Sequence, residues 1–157
     1  MKKILRYILL FILFAFVVIQ FINRPEKISE PVTDNDIILS LNIDDEIAAM
    51  LKTSCYDCHS DQPRYPWYSN VAPLSWWIGD HIEHGRDELN FSLWGTYTAR
   101  RRDHKLEEVV ELVEKREMPL PNYLPMHKDA ELSDEQIEKL RNWANAERAN
   151  IAAETEN

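Results

Sequence analysis

The chain has only two cysteines in 157 residues, Cys55 and Cys58, and they stand two residues apart. A small domain stapled by disulfides spreads its cysteine pairs along the chain, so no such framework is expected. This pair is reserved for other chemistry. Glycine is also scarce, with three in all, and long alternating β-branched runs are missing. A sheet-rich fold is thereby excluded. No acidic residue precedes Glu26.

What stands in that acid-free stretch is apolar. From Tyr7 to Ile22 only Gln20 is polar, and Met1, Lys2, Lys3 and Arg6 surround the start of the run. Counted from Ile4, the run gives a helix about 28 Å long, near the hydrocarbon thickness of a bilayer. The flanking basic residues predict a cytoplasmic N-terminus and an exported remainder. A cleaved signal peptide would need small residues where the run ends, and Val17-Val18-Ile19-Gln20-Phe21-Ile22 supplies none. The expectation is an uncleaved transmembrane anchor over residues 1–23 in the cytoplasmic (inner) membrane, with the rest in the periplasm or outside.

From residue 24 onward, 27 acidic residues face 15 basic ones, a formal charge of −12. Nucleic acid and anionic surfaces are disfavoured as partners of this part. A basic protein partner would be drawn to it through a weak, salt-sensitive encounter. The short basic cluster Arg100-Arg101-Arg102 reads as a solvated face.

Residues 24–42, with Pro25 and Pro31, read as a linker. Residues 43–152 form one small domain, and 153–157 a tail. Within the domain the periodicity is helical, which predicts an all-α fold. A first helix is expected from Ile43 to Thr53, capped by Asn42, with Ile43, Ile47, Met50 and Leu51 on one face. A second spans Pro73 to His84 and is ended by Gly85, with Leu74, Trp77, Ile78 and His81 on a common face. A third covers His104 to Arg116. A fourth follows Ser133, which forms a capping box with Gln136. Between the last two, Met118-Pro119-Leu120-Pro121 breaks any helix.

Cys55-Tyr56-Asp57-Cys58-His59 is the spacing of c-type haem attachment. Two thiols on one helical turn can add to the two vinyl groups of a single porphyrin. The following imidazole then lies where it can ligate the iron. One covalent haem c is expected, with His59 as its proximal ligand. A thioredoxin-type pair would need a βαβ setting, and a zinc site would need a fourth ligand from His81, His84, His104 or His127. For the sixth iron position Met118, stiffened by Pro119, is the candidate and His127 the alternative. Tyr65, Trp67, Tyr68, Trp76 and Trp77 could pack on a porphyrin, and Arg64 or Trp67 could bond a propionate.

These residues resemble the bacterial haem-binding domain family of cytochrome-c-like type, which is found in exported and membrane-anchored proteins. The likeness runs from about Ile47 to Trp143. It rests on Cys55-Tyr56-Asp57-Cys58-His59-Ser60, Arg64-Tyr65-Pro66-Trp67-Tyr68-Ser69, Gly85-Arg86, Leu89-Asn90-Phe91-Ser92, Trp94, Met118-Pro119, Tyr123, His127 and Leu132-Ser133. The resemblance implies covalent haem at the two cysteines, His59 as proximal ligand and Met118 as the matching distal one. Lys115-Arg116-Glu117 stands where the family commonly has a glycine before its Met-Pro. A single attachment motif and no catalytic constellation point to an electron carrier rather than an enzyme. A peroxidase-like enzyme or a haem-based sensor, each with an open sixth position, is the alternative.

Overall fold

The computed structural model describes residues 1–155, and among them it has helices and no strands. The main helices are α1 (Lys2–Ile19), α2 (Ile37–Ser40), α3 (Asp45–Ser54), α4 (Tyr56–His59), α5 (Leu74–Glu88), α6 (Ala99–Glu114) and α7 (Asp134–Thr155). Short 3₁₀ turns fill the connections, and the all-α expectation holds.

Two of these helices make the scaffold. α6 and α7 lie antiparallel, as the pairs Arg102–Glu154 and Arg116–Asp134 at their opposite ends require. Leu106 and Val113 on one, and Leu140, Ala144 and Ile151 on the other, are buried between them. The expected Ser133–Gln136 box opens α7, with each side chain bonding the other's backbone N–H. α6 begins five residues before the expected start, because Thr98 accepts from the Arg101 N–H and caps it. Its first turn is basic and polar, so no apolar period marks it in the sequence.

α6 ends at Lys115-Arg116-Glu117, just ahead of Met118-Pro119. Arg116 adopts φ 59°, the left-handed conformation that glycine takes most readily. The N–H of Glu117 bonds the Leu112 carbonyl at 2.9 Å and that of Arg116 bonds Val113 at 3.1 Å, a Schellman termination. The Arg116 guanidinium in turn donates to the Leu132 carbonyl and to Asp134.

α3 is capped by Asp44, whose carboxylate accepts from Glu46 and Ile47 at 2.9 and 3.0 Å. Asn42, the expected cap, lies outside the helix at φ 48°. Ile47, Met50 and Leu51 turn inward as their spacing predicts. α5 continues through Gly85 to Glu88, so this glycine does not end it. Of its expected common face, Leu74 and Trp77 are exposed and Ile78 and His81 half-buried, while the buried positions are Ser75 and Ile82.

No helix among the described residues is long and apolar enough to cross a membrane. α1 has 18 residues, starts with Lys2 and Lys3 and includes Arg6, and it stops at Ile19 although the apolar run goes on to Ile22. No side chain of α1 is buried.

Residues 24–42, expected as a linker, lie bonded along the helical body. The Ile28 N–H donates to the Tyr65 hydroxyl, and the Glu30 N–H to the Asp61 carbonyl. Asp36 and Ile37 are fully buried. The Gly95 N–H reaches the Asn35 carbonyl at 2.8 Å. This segment is a strap, and it contributes Ile37 to the core.

Candidate functional site

α3 delivers the chain into Cys55, and α4 is the single turn that carries Cys58 and His59. Both thiols are free and half-buried. Burial pushes the Cys55 thiol up to about 12 and that of Cys58 up to about 11, with the neighbouring Cys58 and Asp57 charges adding to the respective shifts. Both are therefore protonated thiols in this fold at neutral pH.

His59 is held by α5. Its Nδ1–H faces two carbonyl oxygens, of Gly85 at 2.8 Å and Leu89 at 3.0 Å. Only the Nδ1-protonated tautomer satisfies both, and the Nε2 lone pair is left for a ligand. Burial lowers the pKa of the ring against the opposing pull of the two carbonyls. The imidazole is neutral. Gly85 makes this approach possible, because a Cβ there would come within 2.7 Å of the Cys58 carbonyl oxygen. Phe91, fully buried, meets the His59 ring edge-on and stacks on Tyr56.

The two non-cysteine residues of the motif hold it in place. The Tyr56 hydroxyl donates to Asp36 of the strap at 2.8 Å. Asp57 accepts from the Arg64 backbone N–H at 2.8 Å, from the Arg64 guanidinium and from the Tyr123 hydroxyl at 2.6 Å. Neither role was visible in the sequence. Tyr123 lies 66 residues away and Asp36 lies 20 residues upstream of its partner. Arg64 is thereby committed to Asp57, with Asp129 as a second carboxylate at 3.6 Å.

The two candidates for the sixth iron position lie in the segment after α6. Met118 is half-buried and packs against the same core cluster as Cys55. It also lines a cavity of about 740 Å³ with Pro119, Leu124, Leu132 and Ile137, and none of Cys55, Cys58 or His59 lines that cavity. His127 stacks on Tyr123, with ring centroids 3.9 Å apart, and its Nε2 is hydrogen-bonded to the Tyr68 hydroxyl. Tyr123 thus links His127 to Asp57 of α4.

The other aromatic candidates divide. Trp67 is three-quarters exposed, Trp76 donates its indole N–H to the Ile22 carbonyl, and Trp77 lies against His81. Tyr65 bonds the strap. His84 and His104 are exposed and pair with acidic neighbours on their own helices. Among the described residues no three His, Cys, Asp or Glu side chains are grouped to hold a metal ion.

The residues fit a haem: two free thiols on one turn, a neutral imidazole with an uncommitted Nε2, and a glycine that lets α5 close on that turn. The comparison with known families agrees. Residues 14–146 match the haem-binding domain family, and the chain belongs to it. No curated protein matches the chain. Nor does any solved structure.

Proposed function

We propose that this protein is a membrane-attached, monohaem c-type cytochrome that carries electrons on the outer side of the cytoplasmic membrane. The haem would be held by thioether bonds from Cys55 and Cys58 and by His59 as the proximal ligand. The observation that carries this reading is the fixed tautomer of His59 beside two free thiols. Haem supplies an iron that takes up and releases one electron. The chain's own groups do the rest. The Gly85 and Leu89 carbonyls orient the imidazole and raise its basicity toward a metal. Asp57 and Tyr56 fix the turn that presents the thiols.

Met118 is the proposed distal ligand. Its packing against the core cluster that Cys55 also meets supports it, as does the prior engagement of His127 Nε2 by Tyr68. Membrane attachment rests on α1, whose Tyr7–Ile19 stretch is wholly apolar with no buried side chain. Lys2, Lys3 and Arg6, at the start of this helix, can reach lipid headgroups by snorkelling.

Absorption spectra of the purified chain in both oxidation states test this reading. A low-spin ferric spectrum with the weak long-wavelength band of thioether ligation is expected, and Met118→Ala should abolish that band. If Met118→Ala leaves the spectrum unchanged and His127→Ala removes the low-spin character, the distal assignment passes to His127. Rapid binding of carbon monoxide by the resting reduced protein would replace the carrier reading with an enzyme or a sensor.

A further inference from the structure

α1 does not lead into a free tether. Gln20 makes a two-point bond with Ala72: its Nε2 donates to the Ala72 carbonyl at 3.1 Å, and its Oε1 accepts the Ala72 N–H at 2.9 Å. Two residues on, the Ile22 carbonyl accepts from the Trp76 indole at 3.1 Å. Pro25 then fills the space above Gly79, where a Cβ would meet it at 2.6 Å. Glu30 bonds Asp61, which in turn pairs with Arg86. The contacts on the α5 side advance from 72 to 76 to 79 to 86 as the strap advances from 20 to 30. The strap therefore runs parallel to α5, which begins level with the end of α1 and recedes from it.

The outward face of α5 changes character along this direction. Its first turns expose Pro73, Leu74 and Trp77, and its later turns expose Asp80, Glu83, His84, Asp87 and Glu88. From Leu74 to Asp87 the helix rises about 20 Å. The apolar end thus lies beside the base of α1, with Phe21 and Ile22 exposed nearby. Arg24, held by the Gln20 carbonyl, and Lys27, held by Asn70, outnumber the exposed Glu26 between them, so these residues give the same end a net positive charge. The acidic end lies farthest from it. A lipid surface matches this order, with apolar and aromatic groups at the interface, cations among the phosphates and carboxylates held away.

We infer that Leu74 and Trp77, at the start of α5, seat the haem-binding domain directly on the phospholipid headgroup layer. The domain is then docked in one orientation rather than tethered above the surface. This inference rests on membrane attachment through α1. The docked occupant is lipid, and a second copy of the chain is the rival that the experiment must separate.

The test is hydroxyl-radical footprinting, by mass spectrometry, of the full haem-loaded chain in nanodiscs of phosphatidylcholine and phosphatidylglycerol with one chain per disc. Leu74, Leu39 and Leu93 are 49, 54 and 44 % exposed in the protein itself, so a difference among them reports the bilayer. Oxidation of Leu74 should be several-fold slower than that of Leu39 and Leu93, and Trp77 should be protected with it. Equal rates at the three leucines would overturn the seat while leaving α1 attachment standing. Protection seen only with several chains per disc would assign the face to a second copy and overturn the lipid assignment. A chain that fails to float with vesicles of the same lipids would overturn attachment, and the seat with it.

Discussion

Tyr123 donates its hydroxyl hydrogen to Oδ2 of Asp57 across 2.6 Å, and so ties the segment after α6 to the middle of α4. The same carboxylate takes the Arg64 guanidinium. Asp57 is buried, and losing its partners would leave a charge without compensation. Burial and the Asp57 bond together raise the Tyr123 pKa far above its ordinary value, so its hydroxyl remains a donor throughout the neutral range.

Removing that donor is the first prediction. Tyr123→Phe should cost about 1–3 kcal/mol, the usual loss for a hydrogen bond to a charged group. Combined with Asp57→Asn, the two losses should fall short of additivity. Chemical denaturation of the single and double variants provides the coupling energy. Strict additivity would mean that the two residues act independently.

Gly85→Ala reverses an ordinary expectation. In an exposed helix interior this change stabilises by up to about 1 kcal/mol. Here the added Cβ would stand 2.7 Å from the Cys58 carbonyl oxygen and 3.3 Å from the Cys58 carbonyl carbon. Backbone atoms cannot swing aside as a flexible side chain can, so α5 must withdraw from α4, at a cost of about 1–3 kcal/mol. The same movement would pull the Gly85 carbonyl from His59, so a changed iron-ligation spectrum should accompany the lower melting temperature. A stabilised variant with an unchanged spectrum would refute the close approach.

The thiols predict a pH dependence for the haem-free chain. Each has an ordinary pKa of 9.0, and the fold raises them to about 12 for Cys55 and about 11 for Cys58. Above the ordinary value the unfolded chain gives up these protons while the folded chain keeps them. The unfolded state then binds fewer protons, and stability falls as pH rises. The contribution is complete below about pH 9 and disappears through the folded values. Urea midpoints measured across that window should drop, and replacing both cysteines with serine should flatten the decline. In the native fold, alkylation of the two thiols should be slower than in the urea-unfolded chain at the same pH.

At the end of α6, Arg116 stands in a conformation natural to glycine. Arg116→Gly loses the bonds to Leu132 and Asp134 but relieves the backbone, whereas Arg116→Ala loses the bonds and keeps the strain. The alanine variant should therefore be the less stable of the two by about 1 kcal/mol. Thermal unfolding of the pair decides this, and the reverse order would contradict it.

What could be read from the sequence was local. Cys55, Cys58 and His59 lie within five residues, and Ser133 and Gln136 within four, so spacing alone shows what they can do. The inward face of α3 was legible for the same reason, since Ile47, Met50 and Leu51 recur at the helical period. The buried hub at Asp57 was not, because its partners come from 7 and 66 residues away and leave no periodic trace. Gly85 was misjudged because a helix-ending glycine and a glycine cut away for a crossing backbone look alike in one dimension. The common face of Leu74 and Trp77 could be read from spacing, but its exposure could not, because an apolar stripe does not say what it faces. The strap was hidden by its composition. Two prolines and many polar residues suggest a linker, yet Asp36 and Ile37 within it are buried.

The central claim is covalent haem at the paired cysteines, and the intact mass of the mature chain tests it most directly. The chain would be produced in a host with working cytochrome assembly and unfolded in acid before the measurement. The account predicts the polypeptide mass plus one haem, and the polypeptide mass alone once both Cys55 and Cys58 are replaced by serine. A native chain that leaves acid with no added mass would contradict it.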